Sequence, residues 1–141
     1  MGYESRVIIV QRSEYPKNNL VTAKELARVN LSCMGYNSMF HGASFSEIFK
    51  TPIDFNLYGM PERYEDPEEV YPDEHYREDC YGKHCGMTTI DKVIEWLERA
   101  VDKDGETILT YRRAKLLYGI LNHFKAMEKD FGGLCVVHYG Y

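Results

Sequence analysis

Six apolar residues between Ile90 and Val101 constrain this chain more than any other feature. Ile90, Val93, Ile94, Leu97, Ala100 and Val101 fall at i, i+3, i+4, i+7, i+10 and i+11. That spacing places their side chains on one stripe of an α-helix. Asp91, Lys92, Glu95, Glu98 and Arg99 fill the opposite side. Thr88 is a natural N-cap, with Asp91 three residues on in a capping-box-like position. Lys103-Asp104-Gly105 supplies a stop, glycine being suited to the left-handed conformation. The spacing therefore predicts a helix over residues 90–103. A second helix is predicted over 107–129, with Ala114, Leu117, Ile120, Leu121, Phe124 and Met127 on its inner face and Gly132-Gly133 as its breaker.

Period-two patterns predict the sheet these helices cover. Ser5–Arg12 is a short β-branched apolar run, read as a strand with at least one buried face. In the stretch that follows Leu20, composition allows a helix, but Ala27, Val29, Leu31 and Cys33 alternate with Arg28, Asn30 and Ser32. That alternation favours a strand, the hairpin partner of the first. Ser13–Asn19 reads as the loop between them. Ser46–Lys50 suits one helical turn before Pro52. Ile53, Phe55 and Leu57 alternate with polar neighbours and predict a third short strand. Arg77–Tyr81 suits an edge strand, and Leu134–Tyr139 a last, buried one. The fold class expected is α+β: a small antiparallel β-sheet with two α-helices of the C-terminal half packed on one face. At 141 residues the chain reads as a single domain over 1–141.

Charge is concentrated in one place. Residues 61–80 hold nine carboxylates and two arginines, a local charge of −7. The whole chain carries −5, so the remaining residues sum to +2. Pro61, Pro67 and Pro72 fix φ and remove donors, which disfavours a continuous helix there. Tyr64, Tyr71, Tyr76 and Tyr81 interleave with the acids. Tyrosine offers large contact area at low entropic cost. In an extended chain, residues two apart are separated by roughly 6.6–7 Å on one side, a repeat similar to that of nucleic-acid phosphates. Asp66 and Glu68 have this spacing. The segment at about 61–81 thus reads either as a solvated loop or as an insertion that contacts a basic protein groove. The candidate contact residues are Glu65, Asp66, Glu68, Glu69, Tyr71, Asp73, Glu74, Tyr76, Glu78 and Asp79. The acidic balance argues against direct nucleic-acid binding. Arg112, Arg113 and Lys115 form a small basic patch, read as a solvated helix face, a phosphate contact, or a pairing surface for the acidic segment of this or another chain.

Catalytic and metal signatures are sparse. His75, Cys80, His84 and Cys85 lie within eleven residues and are candidate zinc ligands. Cys80 and His84 have a usable spacing, but adjacent His84 and Cys85 rarely reach one ion together. Cys33, His41, Cys135 or His138 would complete such a site only where the fold brings them close. The ordinary reading of all these residues is loop and core. A cysteine nucleophile needs a lowered thiol pKa, whereas neighbouring carboxylates raise it. Phosphate-binding glycine loops and the calcium-loop pattern are absent from the sequence, and no cofactor is expected. No apolar run approaches the roughly 20 residues of a membrane span. The first residues lack the apolar core of a signal peptide, so the four cysteines read as reduced thiols and the chain as cytoplasmic. The oligomeric state is left open, a homodimer included.

The start Met1-Gly2-Tyr3-Glu4-Ser5 with its VIIV strand, the helix TTIDKVIEWLE (88–98) and the ending VVHYGY (136–141) resemble small proteins of tailed bacteriophages and prophages. That group has no established activity, so the resemblance carries over no catalytic residue. It implies a non-enzymatic accessory protein that binds and inhibits a host protein, including a nucleic-acid-guided defence nuclease. The alternative expectation is a small zinc-binding module or metal-dependent enzyme built on residues 75–85.

Overall fold

A computed structural model of the chain describes residues 5–12, 22–31, 40–41, 45–53, 56–58, 85–130 and 132–140. The predicted strands and helices at both ends of the sequence are present, with corrected boundaries. Strand β1 spans Ser5–Arg12, β2 Thr22–Asn30, β3 Phe40–His41, β4 Thr51–Pro52, β5 Asn56–Tyr58, β6 Gly86–Thr88, β7 Val101–Asp102 and β8 Leu134–Gly140. Helix α1 spans Ile90–Arg99 and α2 Arg112–Ala126. The main sheet has the order β4-β6-β8-β1-β2-β5, and β3 pairs with β7 in a separate two-stranded sheet. All neighbours in the main sheet are antiparallel except β2 and β5, which run parallel. The fold is α+β, with both helices on one face of the sheet. The loop expected at 13–19 and the edge strand expected at 77–81 lie outside the described residues.

Alternation along the central strands divides their side chains between two faces. Val7 and Ile9 of β1 and Val136 of β8 pack with Val93, Leu97, Ala114, Leu117 and Leu121 under the helices. Ile8, Val10 and Val137 point the other way, into a second cluster with Ala23, Cys85 and Cys135. Both faces of β1 and β8 are therefore closed to solvent, as a continuous apolar run such as Val7–Val10 requires.

One irregularity alters the face assignment of β2. Ile9 faces Ala27 but Val10 faces Glu25, so Leu26 is an extra residue opposite β1. This is a β-bulge, which inverts side-chain parity on either side of it. Ala27 and Val29 pack toward the helices, as their alternation predicts, whereas Ala23 joins the opposite cluster. The bulge also lets Arg28 reach back to Glu25, with Nε donating to Oε1 at 2.8 Å.

The third strand differs from expectation. It is split into β4 and β5, with Ile53 between them and outside either strand. Pro52 is accommodated because β4 is an edge strand, where a missing N–H breaks no ladder. Strand β6 has no strong sequence signal. It pairs with β8 on one side and β4 on the other. A Cβ on Gly86 would lie 1.8 Å from the Phe49 carbonyl oxygen, so only glycine lets β6 pass the backbone just after the 3-10 helix at Phe45–Ile48.

Helix boundaries also move. The cap of α1 is Thr89, not Thr88, with its hydroxyl accepting from the Lys92 N–H at 3.3 Å. Thr88 is instead the last residue of β6. Asp91, freed from a capping box, pairs with Lys125 of α2 at 2.7 Å. The helix stops at Arg99 rather than near residue 103, because Val101–Asp102 extends to pair with Phe40–His41. Asp102 then organises the turn. Its Oδ1 accepts from the N–H groups of Asp104 and Glu106, and its Oδ2 accepts from the Tyr111 hydroxyl at 3.1 Å. Gly105 takes φ = 81° there, inside the left-handed region.

The second helix begins later than residue 107. A 3-10 turn at Ile108–Thr110 precedes it, Tyr111 is extended (φ −76°, ψ 130°), and α2 runs only from Arg112. The tie from the Tyr111 hydroxyl to Asp102 accompanies this break. At the far end α2 stops at Ala126, six residues before Gly132-Gly133, with Met127 as its C-cap.

Candidate functional site

The acidic contact residues predicted at Glu65, Asp66, Glu68, Glu69, Tyr71, Asp73, Glu74, Tyr76, Glu78 and Asp79 lie outside the described residues. So do His75, Cys80 and His84. Cys85 is described, and it is a core residue, 2% exposed beside β6. Cys135 joins it in the same apolar cluster. Among the described residues no group of three or more His, Cys, Asp and Glu side chains is arranged to hold a metal.

Of the other histidines weighed as ligands, His41 lies in β3, whereas His138 is likewise taken up by the core. Its Nε2 lies 2.8 Å from the Ser5 hydroxyl, and its ring packs against Phe49 and Phe45 at 5.1 and 5.8 Å between centroids. A serine and a histidine at this distance resemble the start of a nucleophile pair. Ser5 is fully enclosed, however, so its oxygen has no approach for a substrate carbonyl. The contact satisfies two buried polar groups at the end of the β1–β8 ladder.

Among the described residues, a groove between β2 and the outer side of α2 is open to a ligand. The buried stripe of α2 is Ala114, Leu117 and Leu121. One residue earlier, Leu116 and Ile120 form a second stripe at i and i+4, turned toward the edge of the sheet. Two concavities share these side chains. The first, about 540 Å³, is lined by Arg28, Val29, Asn30, Arg112 and Arg113 together with Leu116 and Ile120. The second, about 450 Å³, adds Ala27, Lys115, Gly119, His123 and Phe124. The floor is apolar and the rim basic. Leu116 is 55% exposed.

The rim is partly pre-positioned. Arg113 Nη1 donates to the Asn30 carbonyl at 2.8 Å, which holds the guanidinium across the gap between helix and strand. Arg28 is anchored by Glu25, whose carboxylate is 4% exposed. The helix end itself has no side-chain cap and no acidic residue in its first turn. Its unsatisfied N–H groups therefore add to the positive field of Arg112 and Arg113.

Sequence reasoning singled out the basic patch at Arg112, Arg113 and Lys115, and the structure brings all three to this groove. It missed Asn30, Leu116 and Gly119. The i, i+4 pair Leu116 and Ile120, offset by one from the core stripe, with a glycine between, was the signal available. The described helices include none long and apolar enough to cross a membrane. No protein-family model, curated protein or solved structure matches this chain.

Proposed function

We propose that this chain is a non-enzymatic protein-binding module that engages a basic protein surface through residues 61–81. Charge segregation carries the reading: residues 61–80 sum to −7 in a chain whose remainder sums to +2. Burying several carboxylates against Lys and Arg speeds association and makes it salt-sensitive, while interleaved tyrosines supply the salt-resistant contact. The enclosure of Ser5, His138, Cys85 and Cys135 in the core supports a structural rather than catalytic use of those four groups. The likeness to phage proteins adds the class of partner, a host protein that handles nucleic acid, whose phosphate-binding groove the acidic segment would occupy.

The test is reversal of Glu65, Asp66, Glu68 and Glu69 to Lys, with affinity for the captured host partner measured at about 50 mM and 300 mM salt. Binding should be lost on reversal and weakened by salt in the wild type. Tyr71→Ala and Tyr76→Ala should mainly raise the off-rate. Unchanged affinity of the quadruple variant in both conditions would reduce the segment to a solvated loop.

A further inference from the structure

We propose that the groove between β2 and α2 docks an acidic segment of a partner protein, with one bulky apolar side chain of that segment seated over Gly119. The proposal rests on β2 and α2 alone and does not depend on the role of residues 61–81.

Four features of α2 carry the proposal, and two of them, the arginines of the first turn and the mid-helix glycine, work against the stability of the helix. Arg112 and Arg113 stand in the first turn, where the helix macrodipole disfavours cations. The fifteen residues of α2 include Arg112, Arg113, Lys115 and Lys125 but no acidic residue. Gly119 sits mid-helix, where glycine is a poor helix former, and no atom beyond its chain neighbours and the helix's own backbone lies within 4 Å of where its Cβ would be. Packing therefore does not demand a glycine there. Leu116 is the one exposed large hydrophobic among the described residues. These features converge on one surface. Leu116, Gly119 and Ile120 are neighbours at i, i+3 and i+4 and line the same concavity.

The chemistry of the surface selects the occupant. Arg112 and Lys115 form no ion pair among the described residues. Arg113 spends one N–H on Asn30, and a guanidinium has further donors for a carboxylate. A carboxylate-bearing peptide satisfies these cations and also supplies an apolar group for the floor of Leu116, Gly119 and Ile120. A polynucleotide matches less well. It brings no aliphatic side chain, and a chain of net charge −5 with one short basic rim lacks the extended footprint that a phosphate backbone requires.

Fluorescence anisotropy on the full chain tests this with three labelled probes. They are a short synthetic Glu/Asp peptide with one central Leu, the same peptide with Ser at that position, and a single-stranded DNA of equal length. The Leu peptide should bind, weaken as salt rises from about 50 to 300 mM, and lose roughly tenfold or more in affinity when Leu becomes Ser. Gly119→Leu fills the open space with a good helix former. It should melt no lower than the wild type yet bind the Leu peptide at least about tenfold more weakly. Leu116→Asp alters a solvent-exposed position and serves as the second folded variant, with the same loss expected. Arg112→Glu combined with Lys115→Glu should abolish the salt-sensitive part. The proposal is overturned if the Leu peptide does not bind, if the Ser peptide binds equally, if Gly119→Leu and Leu116→Asp bind like the wild type, or if the DNA binds more tightly than the peptide.

Discussion

The two helices lie on the same face of one sheet, α1 burying five residues and α2 three, and their first turns follow opposite rules. Helix α1 has a hydroxyl cap at Thr89, an acid in its first turn at Asp91 and a base in its last at Arg99, all aligned with the macrodipole. Helix α2 begins at an uncapped Tyr111, places Arg112 and Arg113 where the dipole opposes them, and carries a glycine in its middle. Inward, both obey packing. Outward, α1 is arranged for stability at both ends, whereas α2 is so arranged only in its last turn, where Lys125 pairs with Asp91. A surface that retains several unfavourable local choices side by side is where a binding role is to be sought.

The comparison is sharpened first at the shared core. Leu97→Ala in α1 and Leu121→Ala in α2 should each cost about 2–5 kcal/mol, because both side chains are fully buried. Denaturant unfolding measures this, and a loss below about 1 kcal/mol at either site would show that the two inner faces are not equivalent. Next is the cap. Thr89→Ala should cost about 1 kcal/mol, since the Lys92 N–H loses its acceptor.

In α2 the sign should invert. Gly119→Ala should stabilise the fold by about 0.5–1 kcal/mol, there being room for the methyl group. Destabilisation would mean that the glycine serves the fold itself and would remove the contrast. Arg112→Glu should stabilise by roughly 0.3–1 kcal/mol at low salt, with the gain fading as salt is added.

The smallest expected effect concerns the link between the helices. The N–H of Glu106, more than that of Asp104 or the Tyr111 hydroxyl, holds the Asp102 carboxyl below its usual value of 3.8. Its folded pKa is thus below its unfolded one, so its contribution is complete above the ordinary carboxylate range. That contribution is lost as pH falls through the folded pKa. Burial, and then the bond to Asp102, raises the Tyr111 hydroxyl above its usual 10.0. Its contribution is complete below pH 10 and lost as pH rises through the raised value. Thermal melts should therefore show the gap between wild type and Asp102→Asn closing in acid. The gap to Tyr111→Phe should close in strong alkali. Gaps independent of pH would deny that the Asp102–Tyr111 contact couples the two helices.

Much of the frame was legible because its signals are local. The β-branched run Val7–Val10 reads as a buried strand, and the stripe from Ile90 to Leu97 reads as a helix. The basic patch at the start of α2 was legible too, as a list of charges. Its partner wall was not, because Ala27, Val29 and Asn30 come from a strand more than eighty residues away in sequence. Boundaries failed where a tertiary contact overruled a local preference. Helix α1 ends early to let Val101–Asp102 pair with Phe40–His41, and α2 starts late beyond the Tyr111–Asp102 bond.

By itself, the sequence determined the fold class, the two helices and the central strands, since hydrophobic period and glycine or proline breaks act within a few residues. It also determined the concentration of acid in residues 61–80, which is a matter of counting. Only the tertiary structure decided which of the two faces of β2 each residue joins. A single bulged residue at Leu26 inverts parity, and no local propensity records it. Only the tertiary structure, likewise, turned Leu116, Gly119 and three cations into a groove, because a concavity needs two walls and the second is supplied by the sheet.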